Sequence, residues 1–275
     1  MLHYERKLPS FGVLSASGRF SILCPIGPTY KAIYLEPTIA GVAATVAEMR
    51  AQISMVRLRI NGRAVWELPA TNVIDLNTWY GYTATAGILP IFLTWDWVRT
   101  VPALENLAWG TANVDSLTLE LETAAGATIN ACTATALVVP EARQLGAIVE
   151  AHQFTFAPAG AGLFEISTLP KGNGDLLALH LSGAVVTAME VKLNGVSFRD
   201  GTSAVGNNIA LTFGERTSVA NYTHYDPTAY SLMIDDRIPL GALAQDFRLN
   251  CTVSGAGTIL VNMLTLNRPL APIAA

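Results

Sequence analysis

The residues able to do acid–base or metal chemistry are few and scattered. The histidines are His3, His152, His180 and His224. No two stand at the short spacing of a metal-binding pair. His224 lies two residues before Asp226 in "NYTHYDPTAY". That spacing raises a dyad in which the carboxylate orients the imidazole as a general base. The other reading, which the Asn, Thr and Pro around it favour, is a polar loop between strands. His180 sits between Leu179 and Leu181. In a strand it faces away from both, as a packed or surface histidine. Asp235 and Asp236 form an adjacent carboxylate pair after an apolar run. Neighbouring strand residues point to opposite faces, so the two cannot act as a paired acid and base. Either would suit a structural divalent cation such as calcium, if another loop or subunit supplied oxygens. A solvated strand end is the simpler reading.

Other chemistry is harder to place. Cys24, Cys132 and Cys251 are far apart, and each lies in an apolar or Thr-rich run. They read as buried thiols, not as a disulfide framework or a zinc knuckle. "GNGDLL", "GAGLF" and "GAGTIL" lack the third glycine and the strand–helix setting of a phosphate cradle, so they read as turns. No nucleophile elbow, P-loop or H-E-x-x-H is present. The expectation is a protein with no catalytic, cofactor-binding or metal-ligating residues, Asp235 and Asp236 being the only ion candidates.

Composition points the same way. Charged residues make up 14% of the chain and hydrophobic ones 51%. An ordinary soluble domain carries about 25% charged residues. So little charge implies that much of the surface faces other subunits. A net charge of −4 argues against general nucleic-acid binding, which rests on neutralising phosphates. Arg6 and Lys7 in "MLHYERKLP" are read as a solvated terminus or as a tail facing an anionic surface. The long uncharged window "LNTWYGYTATAGILPIFLTW" prompts the membrane question. Its Asn, Thr, Gly and Pro content makes it strands and a loop instead.

The elements that must position these residues are short alternating strands. "VRLRING" sets Val56, Leu58 and Ile60 against Arg57 and Arg59. "MEVKLNG" does the same with Met189, Val191 and Leu193, and "DSLTLELE" with Leu117, Leu119 and Leu121. "IFLTWDWV" continues the pattern to Trp95 and Trp97. Each is a half-buried strand with one wet face. Asn61-Gly62 and Asn194-Gly195 predict hairpin turns, because both central residues of a type I′ turn need positive φ. In the second hairpin Leu193 should face Val196, Val191 should face Phe198, and Glu190 should face Arg199.

The chain also repeats itself. "CPIGPTYKAIYLE" and "LPKGNGDLLALHLSG" each place Pro-x-Gly before an alternating strand: Pro25 and Gly27 in one, Pro170 and Gly172 in the other. Each then leads to a strand and an Asn-Gly turn. Gly27 and Gly62 are 35 positions apart, Gly172 and Gly195 only 23. The extra segment lies within "EPTIAGVAATVAEMRAQ", where Thr38 would cap a short helix burying Val42, Val46 and Met49. Later, Ala103–Trp109 and Gly241–Phe247 are matching helix-like patches. Two long copies mean a domain duplication. With about eight strands in each half, the architecture is all-β: two eight-stranded sandwiches or jelly rolls side by side, with short helices in loops. The expected domains are residues 1–140 and 141–275, joined near "VVPEARQLGAIVE".

"FSILCPIGPTYKAIYLE", "VRLRINGR", "FEISTLPKGNGDLLALHLSGAVVTAMEVKLNGVSFRDG" and "LAQDFRLN" resemble, in order and spacing, the major capsid protein of corticoviruses. These are tailless icosahedral bacteriophages with an internal membrane. The resemblance implies a double jelly roll and a homotrimer of pseudo-hexagonal outline. Such trimers would tile a shell around a lipid vesicle. The implied partners are neighbouring capsid trimers, penton or vertex proteins, minor membrane proteins and the lipid itself, without specific nucleic acid. The implied location is the virion capsid, after assembly in the host cytoplasm. Met1–Pro9 would then face the membrane. The competing class is a jelly-roll carbohydrate- or receptor-binding module, for which Trp79–Tyr82, "WYGY", is the aromatic cluster that could serve.

Overall fold

The computed structural model describes residues 3–94, 107–171, 174–183, 186–231, 236–241 and 244–269. The patch at 103–106, the strand residues Trp95 and Trp97, Gly172 and Asp235 lie outside them. The chain packs as two units. The first holds residues 1–78, 82–150 and 268–275, and the second holds Trp79–Gly81 and Ala151–Asn267.

The strands of the first unit are β1 (Tyr4–Lys7), β2 (Arg19–Cys24), β3 (Thr29–Ile39), β4 (Val42–Ala43), β5 (Ile53–Ile60), β6 (Arg63–Leu68), β7 (Leu89–Phe92), β8 (Leu117–Thr123) and β9 (Ala131–Val139). One sheet runs β1-β9-β3, with β4 and β7 both paired to β3. A second run of hydrogen-bonded strands is β2-β8-β5-β6. The second unit has β10 (Ile148–Phe156), β11 (Gly162–Ile166), β12 (Asp175–Ser182), β13 (Val186–Leu193), β14 (Val196–Thr202), β15 (Tyr222–Tyr225), β16 (Ile238–Pro239), β17 (Phe247–Val253) and β18 (Ile259–Asn267). One run of hydrogen-bonded strands is β10-β18-β12, with β15 and β16 paired to β12; a four-stranded sheet runs β11-β17-β13-β14. The pairing rule is thus used twice. β1, β9, β3 and β7 correspond to β10, β18, β12 and β16; β2, β8, β5 and β6 correspond to β11, β17, β13 and β14. Each unit is an antiparallel jelly roll.

Alternation explains the cores. In β8 every second residue is buried, so Leu117, Leu119 and Leu121 point inward with Val56, Leu58 and Ile60 of β5. Each such side chain contributes about 1.5–3 kcal/mol by leaving water. In the second unit, Leu179 and Leu181 of β12, Val191 and Leu193 of β13, Leu249 of β17 and Val261 of β18 share one apolar cluster. The wet face of β2-β8-β5-β6 carries a charge ladder. Arg57 bonds Glu67 at 2.6 Å and Glu122 at 2.5 Å, while Glu120 takes Arg59 at 2.8 Å and Arg19 at 2.5 Å.

Several details differ from the sequence expectation. Tyr4–Lys7 are not a tail: they pair with β9 from Tyr4↔Val138 to Lys7↔Thr135. The extra segment of the first copy does hold a helix, α1 (Val46–Gln52), but its cap is Thr45. Thr45 accepts from the Glu48 N–H while the Glu48 carboxylate takes the Thr45 N–H, a reciprocal capping box. Thr38 instead sits in β3 and pairs with Ala43, so Val42 is 70% exposed; of the expected stripe only Met49 is buried. The uncharged window begins with a helix rather than a strand: α2 (Ala70–Trp79) starts where the Pro69 carbonyl accepts from Asn72 and Val73. A second unforeseen helix, α3 (Ser203–Gly214), is capped by Thr202. One further turn, α4 (Thr228–Ser231), follows β15. Among the described residues no helix is long and apolar enough to cross a membrane.

Candidate functional site

Gly27 has φ 111°, and its N–H donates to the Thr111 hydroxyl at 2.8 Å. Thr111 in turn donates to the Pro28 carbonyl at 2.7 Å, and the Tyr30 hydroxyl to the Pro25 carbonyl at 2.6 Å. Pro170 is exposed, and the adjacent Lys171 ammonium donates to the Gln245 carbonyl.

The two Asn-Gly hairpins match atom for atom. φ is 50° at Asn61 and Asn194, and 81° at Gly62 and Gly195. The Asn61 side-chain oxygen accepts from Asp115 and Ser116 N–H at 2.9 and 3.0 Å; the Asn194 oxygen accepts from Gln245 and Asp246 N–H, both at 3.0 Å. Each asparagine therefore ties its turn to the loop that enters β8 or β17. Both hairpins also bulge two pairs after the turn. Ile60↔Arg63 and Arg59↔Ala64 are followed by Leu58↔Trp66; Leu193↔Val196 and Lys192↔Ser197 are followed by Val191↔Arg199. The bulge corrects the expected register. Phe198 is skipped and 45% exposed, Val191 faces Arg199, and Glu190 faces Asp200 rather than Arg199.

Asp236 is exposed, and its neighbour Asp235 lies outside the described residues. Among the described residues no group of three or more His, Cys, Asp or Glu side chains could hold a metal ion. The three thiols are buried, and burial pushes each up to about 12, where thiolate chemistry is suppressed.

The residues with catalytic types converge at one place, inside the second unit. His224 is not in a polar loop but in β15, directly opposite His180 of β12. Both are buried, and their Nδ1 atoms lie 2.7 Å apart. The Tyr80 hydroxyl meets His180 Nε2 at 3.1 Å. Trp79 stacks on His224 with ring centres 3.5 Å apart, and Tyr222 lies parallel to it at 5.3 Å. Asp226 is hydrogen-bonded elsewhere. It accepts from Arg216 Nε at 2.9 Å, Thr228 Oγ1 at 2.5 Å and Trp79 Nε1 at 3.4 Å. The Arg216–Asp226 ion pair is almost wholly out of water. The His224–Asp226 spacing is therefore not a dyad: the imidazole bonds the other histidine and the carboxylate bonds an arginine. Sequence spacing hid the His180–His224 pair, because strand pairing brings together residues 44 positions apart.

The surroundings show what the cluster does. Asn207 of α3 behaves like a further strand beside β15: its amide donates to the Tyr222 carbonyl at 2.8 Å and accepts from the His224 N–H at 3.0 Å. The Arg199 guanidinium, turned inward by the bulge, donates to the His224 carbonyl. Gly206 leaves the space that this guanidinium fills. The site is polar mortar that fixes β15 and α3 to β12. It also draws in two residues of the aromatic cluster. Trp79 and Tyr80 are buried, and Tyr82 stacks on Phe92 at 4.2 Å.

Two family models match the chain. The viral coat protein P2 N-terminal domain covers residues 5–140, and the viral coat protein P2 C-terminal domain covers residues 148–268. Among solved structures, the major capsid protein P2 from bacteriophage PM2 is 21% identical, covering 98% of this chain and 100% of that one with a TM-score of 0.84. The STIV MCP is 12% identical, covering 99% and 100%, with a TM-score of 0.71. The PBCV-1 virus capsid is 9% identical, covering 96% and 93%, with a TM-score of 0.66. No curated protein matches. The two family models together span most of the chain, and the chain belongs to the viral coat protein P2 family, as a coat protein of the virion.

Proposed function

We propose that three copies form a pseudo-hexagonal trimer and that such trimers tile an icosahedral shell around an internal lipid membrane. The observation that carries this reading is the strand plan used twice in one chain. Three chains then present six similar sandwiches around one axis, which suits six-fold tiling. We assign the sandwiches to residues 1–140 and 141–275. The charge content of 14% supports burial between copies. So do apolar side chains left in water: Val13 is 85% exposed and Leu163 74%. The partners are neighbouring trimers, vertex proteins and minor membrane proteins, and assembly takes place in the cytoplasm of a bacterial host.

The test is light scattering on the purified chain, followed by electron microscopy of particles that contain it. Trimer mass and hexagonal tiles are expected. A well-behaved monomer at micromolar concentration would count against the reading.

A further inference from the structure

We propose that His180 and His224 form an acid-sensitive latch, and that protonating the pair frees β15 and α3 from β12 within the second unit. The geometry sets the requirement. Two Nδ1 atoms at 2.7 Å need one hydrogen between them, so one ring must donate and the other accept. If both rings are protonated, two N–H groups point at each other. If one ring is protonated, a cation sits in a buried place whose neighbours do not welcome it.

Those neighbours come from every side. Tyr80 reaches His180 from the end of α2. Arg199 of β14 caps the His224 carbonyl, and Arg216 lies 5.0 Å from the Tyr80 ring. Tyr222 flanks His224 on β15, Asn207 of α3 holds its backbone, and Asn262 of β18 pairs with His180. Two of these groups are guanidinium cations. The carboxylate of Asp226 is already engaged by Arg216, Thr228 and Trp79. His224 Nε2 and Arg216 Nη2 are buried without a hydrogen-bond partner, so an added proton at His224 Nε2 finds no acceptor.

Burial, with Arg216 adding to it against Asp226, pulls His180 down from 6.5 to about 4. Burial, His180 and Arg199 together hold His224 well below 6.5. The sign follows from linkage. The unfolded chain binds these protons near pH 6.5, while in the folded unit His180 refuses its proton until about pH 4 and His224 is held well below 6.5. Stability from the neutral pair is complete above about 6.5 and falls as pH drops below it, with the His180 share lost down to about 4. The effect belongs to one unit. The first unit's histidine is His3, which is exposed, and the second's remaining one, His152, is half-buried on β10.

Hydrogen exchange on the full-length protein tests the latch. Peptides from β12, β15 and α3 are compared with peptides from β5, β6 and β8 between about pH 6.5 and 4.5, after correction for intrinsic exchange. One histidine refused over two pH units corresponds to a loss of about 100-fold in protection. Losses of that order are expected in β15 and α3, and less than about threefold in β5, β6 and β8. Equal losses in both groups, or none in β15, would overturn the latch. The double variant H180Q/H224Q should keep the fold at neutral pH and flatten the response; a folded variant with the response intact overturns the proposal. Should the variant not fold, imidazole titration by NMR on the unaltered protein decides. His224 still neutral at about pH 5 supports the latch, and His224 titrating near its ordinary 6.5 overturns it.

Discussion

The Asn61-Gly62 and Asn194-Gly195 hairpins share φ values, cap bonds and a bulge at the same step, yet they deliver different residues to the interior. In the first unit the residue after the bulge is Trp66, 7% exposed; in the second it is Arg199, 9% exposed. The same backbone device thus feeds an indole into one interior and a guanidinium into the other. The difference then spreads. Arg199 needs acceptors, and it finds the carbonyls of His224 and Thr202. The second unit consequently carries a buried polar cluster where the first buries an indole, and the arginine–glutamate pairs of β2, β8, β5 and β6 stay on the wet face of their strands. Turn chemistry specifies the frame, and one residue beyond the bulge specifies what fills it.

Charge burial separates the two units most sharply. Asp226→Ala should strand Arg216, whose side chain is 3% exposed, inside the second unit. Removing one partner of a buried ion pair costs about 3–5 kcal/mol. Arg57→Ala, in the first unit's ladder, removes bonds to Glu67 and Glu122 that are 33% and 38% exposed. Surface pairs of that kind contribute about 1 kcal/mol or less. Denaturant unfolding of both variants would give the two figures, and equal costs would erase the distinction drawn between the units.

The hairpins themselves should behave alike. Gly62 and Gly195 both have φ 81°, with open space where a side chain would stand. Valine there meets no neighbour, so the cost is backbone strain alone, about 1–3 kcal/mol at each site. Gly62→Val and Gly195→Val should lower Tm by similar amounts. A neutral result at either position would show that its turn is not under this constraint.

Much of this frame is legible in the sequence, and what is not has a physical cause. Asn-Gly is readable because its φ demand is local. The strands are readable where one face is wet, as with Arg57 and Arg59 between Val56, Leu58 and Ile60. α2 is not, because Val73, Ile74, Leu76 and Trp79 bury several faces of the helix and blur any stripe. The bulges are silent, since a skipped residue such as Val65 or Phe198 leaves the composition unchanged while shifting the register. The histidine pair is silent for a different reason. It exists only once β12 and β15 are paired, and no spacing within either strand announces it.

The asparagine caps give a smaller effect. Asn61→Ala and Asn194→Ala each remove an oxygen that accepts two backbone N–H groups near the surface. Exposed donors can turn to water, so each loss should be about 1–2 kcal/mol. The caps lie in separate units, so the double variant should show the sum. A double variant no worse than either single one would couple the hairpins.

The smallest effect concerns how acid reaches each unit. Burial alone would raise Glu120, but hydrogen bonds from Arg19 and Arg59 outweigh it and hold its carboxyl below the ordinary 4.5. A depressed carboxylate stabilises the fold fully above the unfolded value, and the contribution fades as pH falls below about 4.5. The histidine pair begins to lose its contribution earlier, as pH falls below about 6.5, the His180 share going on the way down to about 4. The two units should therefore weaken in successive pH windows, the second before the first. Glu120→Gln should lower Tm by about 1–3 °C at neutral pH, as expected for a half-screened surface pair in a protein of this size. The gap between variant and parent should close as pH falls below about 4.5, because the parent carboxyl is then protonated as well. A gap that persists undiminished at about pH 3.5 would mean that the ladder's contribution is packing of the Arg19 and Arg59 stems rather than charge.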